Sequence, residues 1–369
     1  VTEGKTQRLH SLDAFRGATI AAMLFVNNPG SWSNVYSPFR HAEWHGCTPT
    51  DLIFPFFLFI VGVSMAFSLR AYMGPGRRPG LSSRVFRRVT TLILLGLFLN
   101  GFPGFDIDTM RLPGVLQRIG LVYAMAVPLV MLLGARGLVG VSAGILLGYW
   151  AVLGLVPVEG VAPAWNPVQN LPRQIDRALI GSSNLWQGGP TDPEGLLSTL
   201  PALVTCLMGY GAGRLLLREE KTRMCAALAL FGLGFATTGL LWGLVLPINK
   251  TLWTPSFVLL SGGAAMFCLA IASYLIDVRR MRTLGMPFES LGINAITAFV
   301  LSGIGARVLT VVSVPGAQGS VSARLWLYEG LQSMGFRPAD ASMIYAAAVL
   351  FFWWCVIKVL HQLGWKWRV

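Results

Sequence analysis

An all-α polytopic membrane protein with about ten transmembrane helices is the fold class this sequence predicts, on three observations. Hydrophobic residues fill 54% of the 369 positions and charged residues only 12%, a balance too apolar for a water-soluble domain. The apolar residues gather into runs of roughly 20, the length a helix needs to cross the hydrocarbon core. The basic residues alternate from loop to loop instead of clustering.

In chain order the runs fall at 11–28, 50–72, 85–101, 112–133, 138–156, 196–217, 225–247, 255–277, 287–312 and 340–361. The first carries Asp13 and Arg16, follows a polar stretch and has no small-residue cleavage site, so it reads as a retained span rather than a removed leader. Arg70, Arg77, Arg78, Arg84, Arg87 and Arg88 follow the second run, and basic residues recur beside every later even-numbered run as far as Lys366 and Arg368. The positive-inside rule assigns these loops and both termini to the cytoplasm. The loops near 29–49, 102–111, 157–195, 248–254 and 313–339 then face outward. The longest of them, 157–195, is rich in Pro, Asn and Trp and reads as an external cap on a single transmembrane domain spanning 1–369. Within it, Pro172 to Gly181 has the pattern of a short amphipathic helix, and Arg324 to Met334 is a second such piece. Glycines in the runs, such as Gly144 with Gly148 and Gly209, Gly211 and Gly213, read as points of close helix approach.

Composition also excludes several classes. The net charge of +13 is spread as a topology signal, which speaks against a nucleic-acid partner and for a lipid bilayer. Five scattered cysteines form no disulfide framework, and no His, Cys and carboxylate spacing makes a metal site.

Chemistry is expected where titratable groups meet the membrane boundary, because ionisable residues at membrane depth are costly unless they pair, line a wet cavity or react. The stretch HAEWHGCTPTDLIFPFFLF, His41 to Phe59, places His41, Glu43, His45 and Asp51 there. His41 has three roles open to it: general base, nucleophile, or structural hydrogen-bonder. Asn27 and Asn28 end the first run, one short loop away, and an asparagine amide supplies the N–H donor that an oxyanion needs. Asp51 could orient an imidazole, hold a cationic amine, or cap the second helix through Thr48-Pro49-Thr50-Asp51. Arg8, Arg16 and Arg118 have two readings. Arg16 and Arg118 interrupt apolar runs, and either pair internally with Asp13, Gln117 or Glu289 or clamp an anionic ligand entering from the cytoplasm, such as a nucleotide thioester.

Seven motifs in order, RLHSLDAFRG (from Arg8), VNNPG (from Val26), HAEWHGCTPTDLIFPFFLF (from His41), RQIDRALIG (from Arg173), DPEGLLSTLPA (from Asp192), PINKTLWTPSF (from Pro247) and LGINAI (from Leu291), resemble the heparan-α-glucosaminide N-acetyltransferase family over nearly the whole chain. The resemblance implies a transmembrane acetyltransferase that takes acetyl-CoA on the cytoplasmic side as cosubstrate and acetylates the amine of a glucosamine unit on the other side. It implies His41 as the catalytic residue with Asn27 assisting. Arg8 and Arg16, with Lys366 or Arg368 at the C-terminus, would lie by the CoA moiety, joined in our reading by Arg118. Asp51 and Asp192 would line the acceptor cavity, and we group Glu43 and Asp176 with them. The compact chain resembles bacterial inner-membrane members, which makes glucosamine or a short glucosamine oligomer the expected acceptor, and a homodimer is in keeping with the family type. Two other readings share these residues: an O-acetyltransferase of envelope glycans, and an amino-sugar transporter with Asp51 and Asp192 holding the cation.

Overall fold

A computed structural model describes residues 9–73, 79–218, 220–316, 319–365 and 367. Each of the ten predicted runs contains a helix. In chain order the α-helices are α1 (His10–Val26), α2 (Ile53–Ser68), α3 (Leu81–Gly101), α4 (Val115–Leu132), α5 (Ala135–Leu155), α6 (Leu171–Leu179), α7 (Thr199–Leu216), α8 (Lys221–Trp242), α9 (Pro255–Ser273), α10 (Arg282–Ile293), α11 (Ala295–Val311), α12 (Ala323–Ser333) and α13 (Pro338–Gln362). Among the described residues, six helical segments are long and apolar enough to cross a membrane, or seven if the bent pair α10 and α11 is one span. The single run predicted at 287–312 is thus two helices, turned by 69° at Asn294. Asn294 serves both helices as a cap residue, with φ −109° and ψ 34°, and its side-chain amide donates back to the Ser290 carbonyl at 3.4 Å. This local competition for the backbone is what makes asparagine a helix interrupter.

The two amphipathic pieces expected outside the spans are present as α6 and α12, both with side-chain caps. Asn170 accepts from the Arg173 N–H ahead of α6, and Ser322 accepts from the Leu325 N–H ahead of α12. Among the described residues, an antiparallel strand pair, β1 (Ser313–Gly316) with β2 (Gly319–Ser322), and an isolated bridge between Val158 and Val161 depart from the all-helical expectation.

The chain clusters into two compact units. One takes the described residues of 1–40, 219–229 and 267–368; the other takes those of 41–218 and 230–266. In the first unit, α1 packs on α10 with Gly17 and Gly292 in mutual backbone contact, where any Cβ would strike the facing main chain. The His10 ring meets Glu289 at 2.9 Å, and Ser11 donates to Asp277 at 2.5 Å.

The second unit is centred on α2 against α7. Gly62 of α2 lies on the Cys206 carbonyl, and Gly209 and Gly213 of α7 lie on Phe59 and Val63. Leu58, Phe59, Val63, Ala202 and Cys206 are fully or almost fully buried around that seam. The reading of these glycines as packing points holds for Gly209 and Gly213. It fails for Gly144, Gly148 and Gly211, beside which a Cβ would meet nothing within 4 Å; a glycine on an outward helix face carries no packing role.

The interval from 157 to 195 is ordered by its own small core. Tyr149, Leu153, Val158 and Leu171 are buried together, with Trp165, Ile175 and Leu197 packed against them. Asn170, which caps α6, also donates to the carbonyls of Asn166 and Pro167 and to Thr191 Oγ1. One side chain therefore ties the start of α6 to both flanks of the segment.

Candidate functional site

Between the 3-10 turn Ser37–Phe39 and the turn that starts at Pro49, the segment holding His41 has no regular structure, so side chains must fix it. Thr48 and Asp51 form a capping box on the turn Pro49–Leu52 that leads into α2, and Pro49 sits where a missing N–H costs nothing. Asp51 Oδ2 accepts from the Thr48 N–H, the Thr48 hydroxyl and the Ala42 N–H, each at 3.0 Å. Its other oxygen, Oδ1, lies 2.7 Å from His41 Nδ1. Capping a helix and orienting an imidazole, which the sequence posed as alternatives, are therefore done by one carboxylate. Only 2% of the Asp51 side chain is exposed against 49% of the His41 side chain, so the anion is sheltered while the ring is accessible.

The geometry favours one tautomer. Of the two polar groups beside Nδ1, the anionic Asp51 oxygen at 2.7 Å is closer than the Lys250 ammonium at 3.2 Å, so we assign the hydrogen to Nδ1, donating to Asp51. In the neutral ring, Nε2 is then the basic and nucleophilic position, as in triad-type sites where a carboxylate holds the ring.

A third group completes the cluster. Lys250, in the turn between α8 and α9, brings Nζ to 3.2 Å from His41 Nδ1 and 3.4 Å from Asp51 Oδ1. Its turn is stitched to the His41 segment: Asn249 Nδ2 donates to the Trp44 carbonyl at 2.8 Å, and the Gly46 N–H donates to the Ile248 carbonyl at 2.8 Å. Asn249 Oδ1 accepts from the Leu252 N–H at 2.8 Å, and Trp253, fully buried with φ 52°, closes the turn. His45 and Cys47 lie in the same segment. Burial keeps the His45 imidazole below its ordinary range and, ahead of the nearby Asp51 charge, pushes the Cys47 thiol up to about 12.

The remaining expected site residues divide. Glu43 is exposed two positions beyond His41. Asn27 is the exposed C-cap of α1, with its N–H on the Met23 carbonyl. Arg16, also on α1, pairs with Asp13 at 3.6 Å and donates to the Gly292 carbonyl at 3.2 Å; Glu289 is taken by His10 instead. Arg8, Lys366 and Arg368 lie outside the described residues.

Asp192, Asp176 and Arg118 belong to a second polar cluster under the 157–195 segment. Asp192 Oδ1 and Oδ2 accept from Arg111 at 2.5 and 2.9 Å, and from the N–H groups of Glu194 and Trp186 at 2.9 and 2.8 Å. Arg111 also pairs with Glu194. With all four acceptor directions filled, Asp192 is occupied in holding this segment together. Asp176 is fully buried, accepting from the Leu196 N–H at 2.8 Å. Arg118, read from sequence beside the cytoplasmic nucleotide arginines, stands in the first turn of α4 and donates to the Gly195 carbonyl and to Ser198, at 2.9 and 2.5 Å. Of its two readings, these contacts are those of an internal brace: it ties down the loop before α7, and its guanidinium lies over the Trp253 ring at 5.1 Å. Gln117, its suggested partner, bonds the Leu112 carbonyl.

Lys250 and Asn249 both lie within the motif that begins at Pro247, yet the sequence marked neither as a site residue. The signal that could have found Lys250 was a lone lysine in a loop that the charge pattern predicts to face outward, where a cation has no topological use. Among the described residues no group of three or more His, Cys, Asp and Glu side chains could hold a metal.

A helical membrane protein that presents an oriented, half-exposed imidazole on a sheltered carboxylate is a candidate for proton or acyl transfer. The comparisons with known proteins give the family. The family described as heparan-alpha-glucosaminide N-acetyltransferase, catalytic, matches residues 8–239, and this chain belongs to it. It is 29% identical to the human heparan-alpha-glucosaminide N-acetyltransferase, with 79% of this chain and 52% of that protein covered, and 28% identical to the mouse protein, with 79% and 53% covered. The chain spans about half the length of these curated relatives.

Proposed function

We propose that this protein is a multi-pass membrane N-acetyltransferase that moves acetyl from cytoplasmic acetyl-CoA to the amine of glucosamine, or of a glucosamine-terminated saccharide, at the outer face of a bacterial inner membrane. Ten spans with both termini cytoplasmic belong to this reading, with α10 and α11 as one interrupted span, and the 157–195 segment as an outer cap. Family membership supports the reaction class. The single observation that carries the reading to a residue is the His41 to Asp51 hydrogen bond, which leaves Nε2 free on an exposed ring.

In this reading the unprotonated acceptor amine attacks the thioester carbonyl and a C–N bond replaces the C–S bond. The amine proton passes to His41 Nε2 and from there to the departing thiolate, so CoA leaves as the thiol. Nδ1–H stays on Asp51, which stabilises the imidazolium that forms transiently. Asn27, the motif asparagine, is assigned the amide donor for the oxyanion. Arg16, together with Arg8 and the C-terminal Lys366 and Arg368, is assigned to the nucleotide phosphates, for which guanidinium geometry is suited.

Purified protein incubated with labelled acetyl-CoA and glucosamine tests this directly. We expect labelled N-acetylglucosamine from the parent and a loss of at least 100-fold in His41→Ala, within the range for removing a general base. Product formation equal in the two proteins, or none from either, would overturn it.

A further inference from the structure

Lys250 lies within the motif that begins at Pro247 but beyond residues 8–239, which the family model matches, and the proposed acetyl transfer makes no use of it. Yet its ammonium is held 3.2 Å from the ring nitrogen of His41 and 3.4 Å from the oxygen that ring bonds. The side chain is 19% exposed, so its charge is only partly screened. The turn that carries it is locked to the His41 segment by Asn249 and by the Gly46 N–H, across a sequence separation of 209 residues between the two side chains.

A sheltered carboxylate bonded to an imidazole favours the doubly protonated ring, because imidazolium is the state that its negative charge attracts. Such a ring has no lone pair at Nε2 and can take no proton. A permanent positive charge on the same carboxylate oxygen opposes that outcome twice: it offsets the anion, and it repels a second cation a few ångströms away. The other titratable groups of the segment do not supply this effect. Cys47 is held in its neutral form by burial, then by Asp51, His45 is depressed by burial, and Glu43 is exposed and negative. Arg40, next to His41 in the chain, directs its guanidinium to the Val35 carbonyl at 2.6 Å.

We propose that Lys250 is a positioning residue for acetyl transfer: by sharing Asp51 with His41, its ammonium keeps the imidazole unprotonated at Nε2 and so ready to accept the amine proton at neutral pH. This rests on the reading of His41 as the group that takes that proton. Lys250 acts through Asp51 and the ring and touches neither substrate.

The experiment compares the parent with Lys250→Met, which keeps the stem and removes the charge, and Lys250→Arg, which keeps the charge. Diethyl pyrocarbonate modifies only the unprotonated ring, and mass spectrometry of the peptide holding His41 follows its modification against pH without any need for turnover. In Lys250→Met the midpoint of that profile is expected to move up by about one pH unit, the low end for a charge at this distance given that the ring is half exposed. The acid limb of kcat/KM should move with it, giving a loss of a few-fold near neutrality that approaches roughly tenfold well below the midpoints and recovers at high pH, while the KM for acetyl-CoA holds. Lys250→Arg should reproduce the parent in both readouts. Coincident midpoints for the parent and Lys250→Met, or a loss of rate equal at every pH, would overturn the proposal and leave the acetyltransferase reading standing. A parent that acetylates no amino sugar, together with a midpoint that still moves, would overturn that reading while supporting the coupling.

Discussion

Replacing Asp51 by asparagine removes one oxygen and one charge while keeping the shape, and the donors around it decide which way the new amide turns. Three donors, from Ala42 and Thr48, converge on Oδ2, and two, from His41 and Lys250, on Oδ1. An asparagine has one acceptor oxygen, which will turn to the side with three donors. Its NH2 then faces Lys250, donor against donor, and donates to His41 Nδ1. The ring proton is driven to Nε2, the position that must be free, so the variant holds the wrong tautomer. Losing general-base chemistry costs about 10²–10⁴-fold in rate, and losing charge-assisted hydrogen bonds to a buried anion costs about 2 kcal/mol in stability. Thr48→Val is the control: it weakens the capping box by about 1 kcal/mol but leaves the His41 bond in place, so its rate should stay within a few-fold. The assay is the initial rate of N-acetylglucosamine formation from labelled acetyl-CoA, with the Tm of each detergent-solubilised variant. Asp51→Asn at near-parental rate, or Thr48→Val falling as far as Asp51→Asn, would refute the assignment of the tautomer to Asp51.

Three further expected outcomes concern the second unit. Arg111→Met leaves the buried Asp192 and Glu194 carboxylates without their cation, and should lower stability by about 3–5 kcal/mol in thermal or denaturant unfolding. Burial pushes the Asp176 carboxyl up to about 6, the Leu196 N–H only partly opposing it. The folded protein then keeps this proton between about pH 4 and 6 while the unfolded chain loses it, so stability should fall as pH rises through that window, by up to about 3 kcal/mol, and level off above it. Asp176→Asn should flatten that slope in Tm measured against pH. Asn249→Ala strands the Trp44 carbonyl and the Leu252 N–H, should cost about 1–3 kcal/mol, and should speed hydrogen exchange across 249–254.

Much of this protein is written locally. The helices could be placed from sequence because an apolar run of spanning length, punctuated by Gly, Pro and Asn, has one low-energy conformation in hydrocarbon, where each backbone polar group must be satisfied within the segment. The small helices α6 and α12 were legible for a similar reason, since amphipathic spacing and caps act over a few residues. The His41 segment was legible too, because Thr48, Asp51 and His41 are near neighbours in the chain and the capping pattern is read over four residues.

What only the tertiary structure decided is which charges meet. Asp51 and Asp192 are both acidic residues at the edge of an apolar run, yet one holds the His41 ring while Arg111, 81 residues distant in sequence, absorbs the other. By residue type Arg118 fitted an internal partner or an anionic ligand equally, and its helix delivers it to Gly195 and Ser198. Lys250 enters the site through a turn anchored by Asn249. Such pairings are set by helix packing across long sequence separations and by the high cost of leaving a buried charge unpaired, and no local pattern in the chain encodes either.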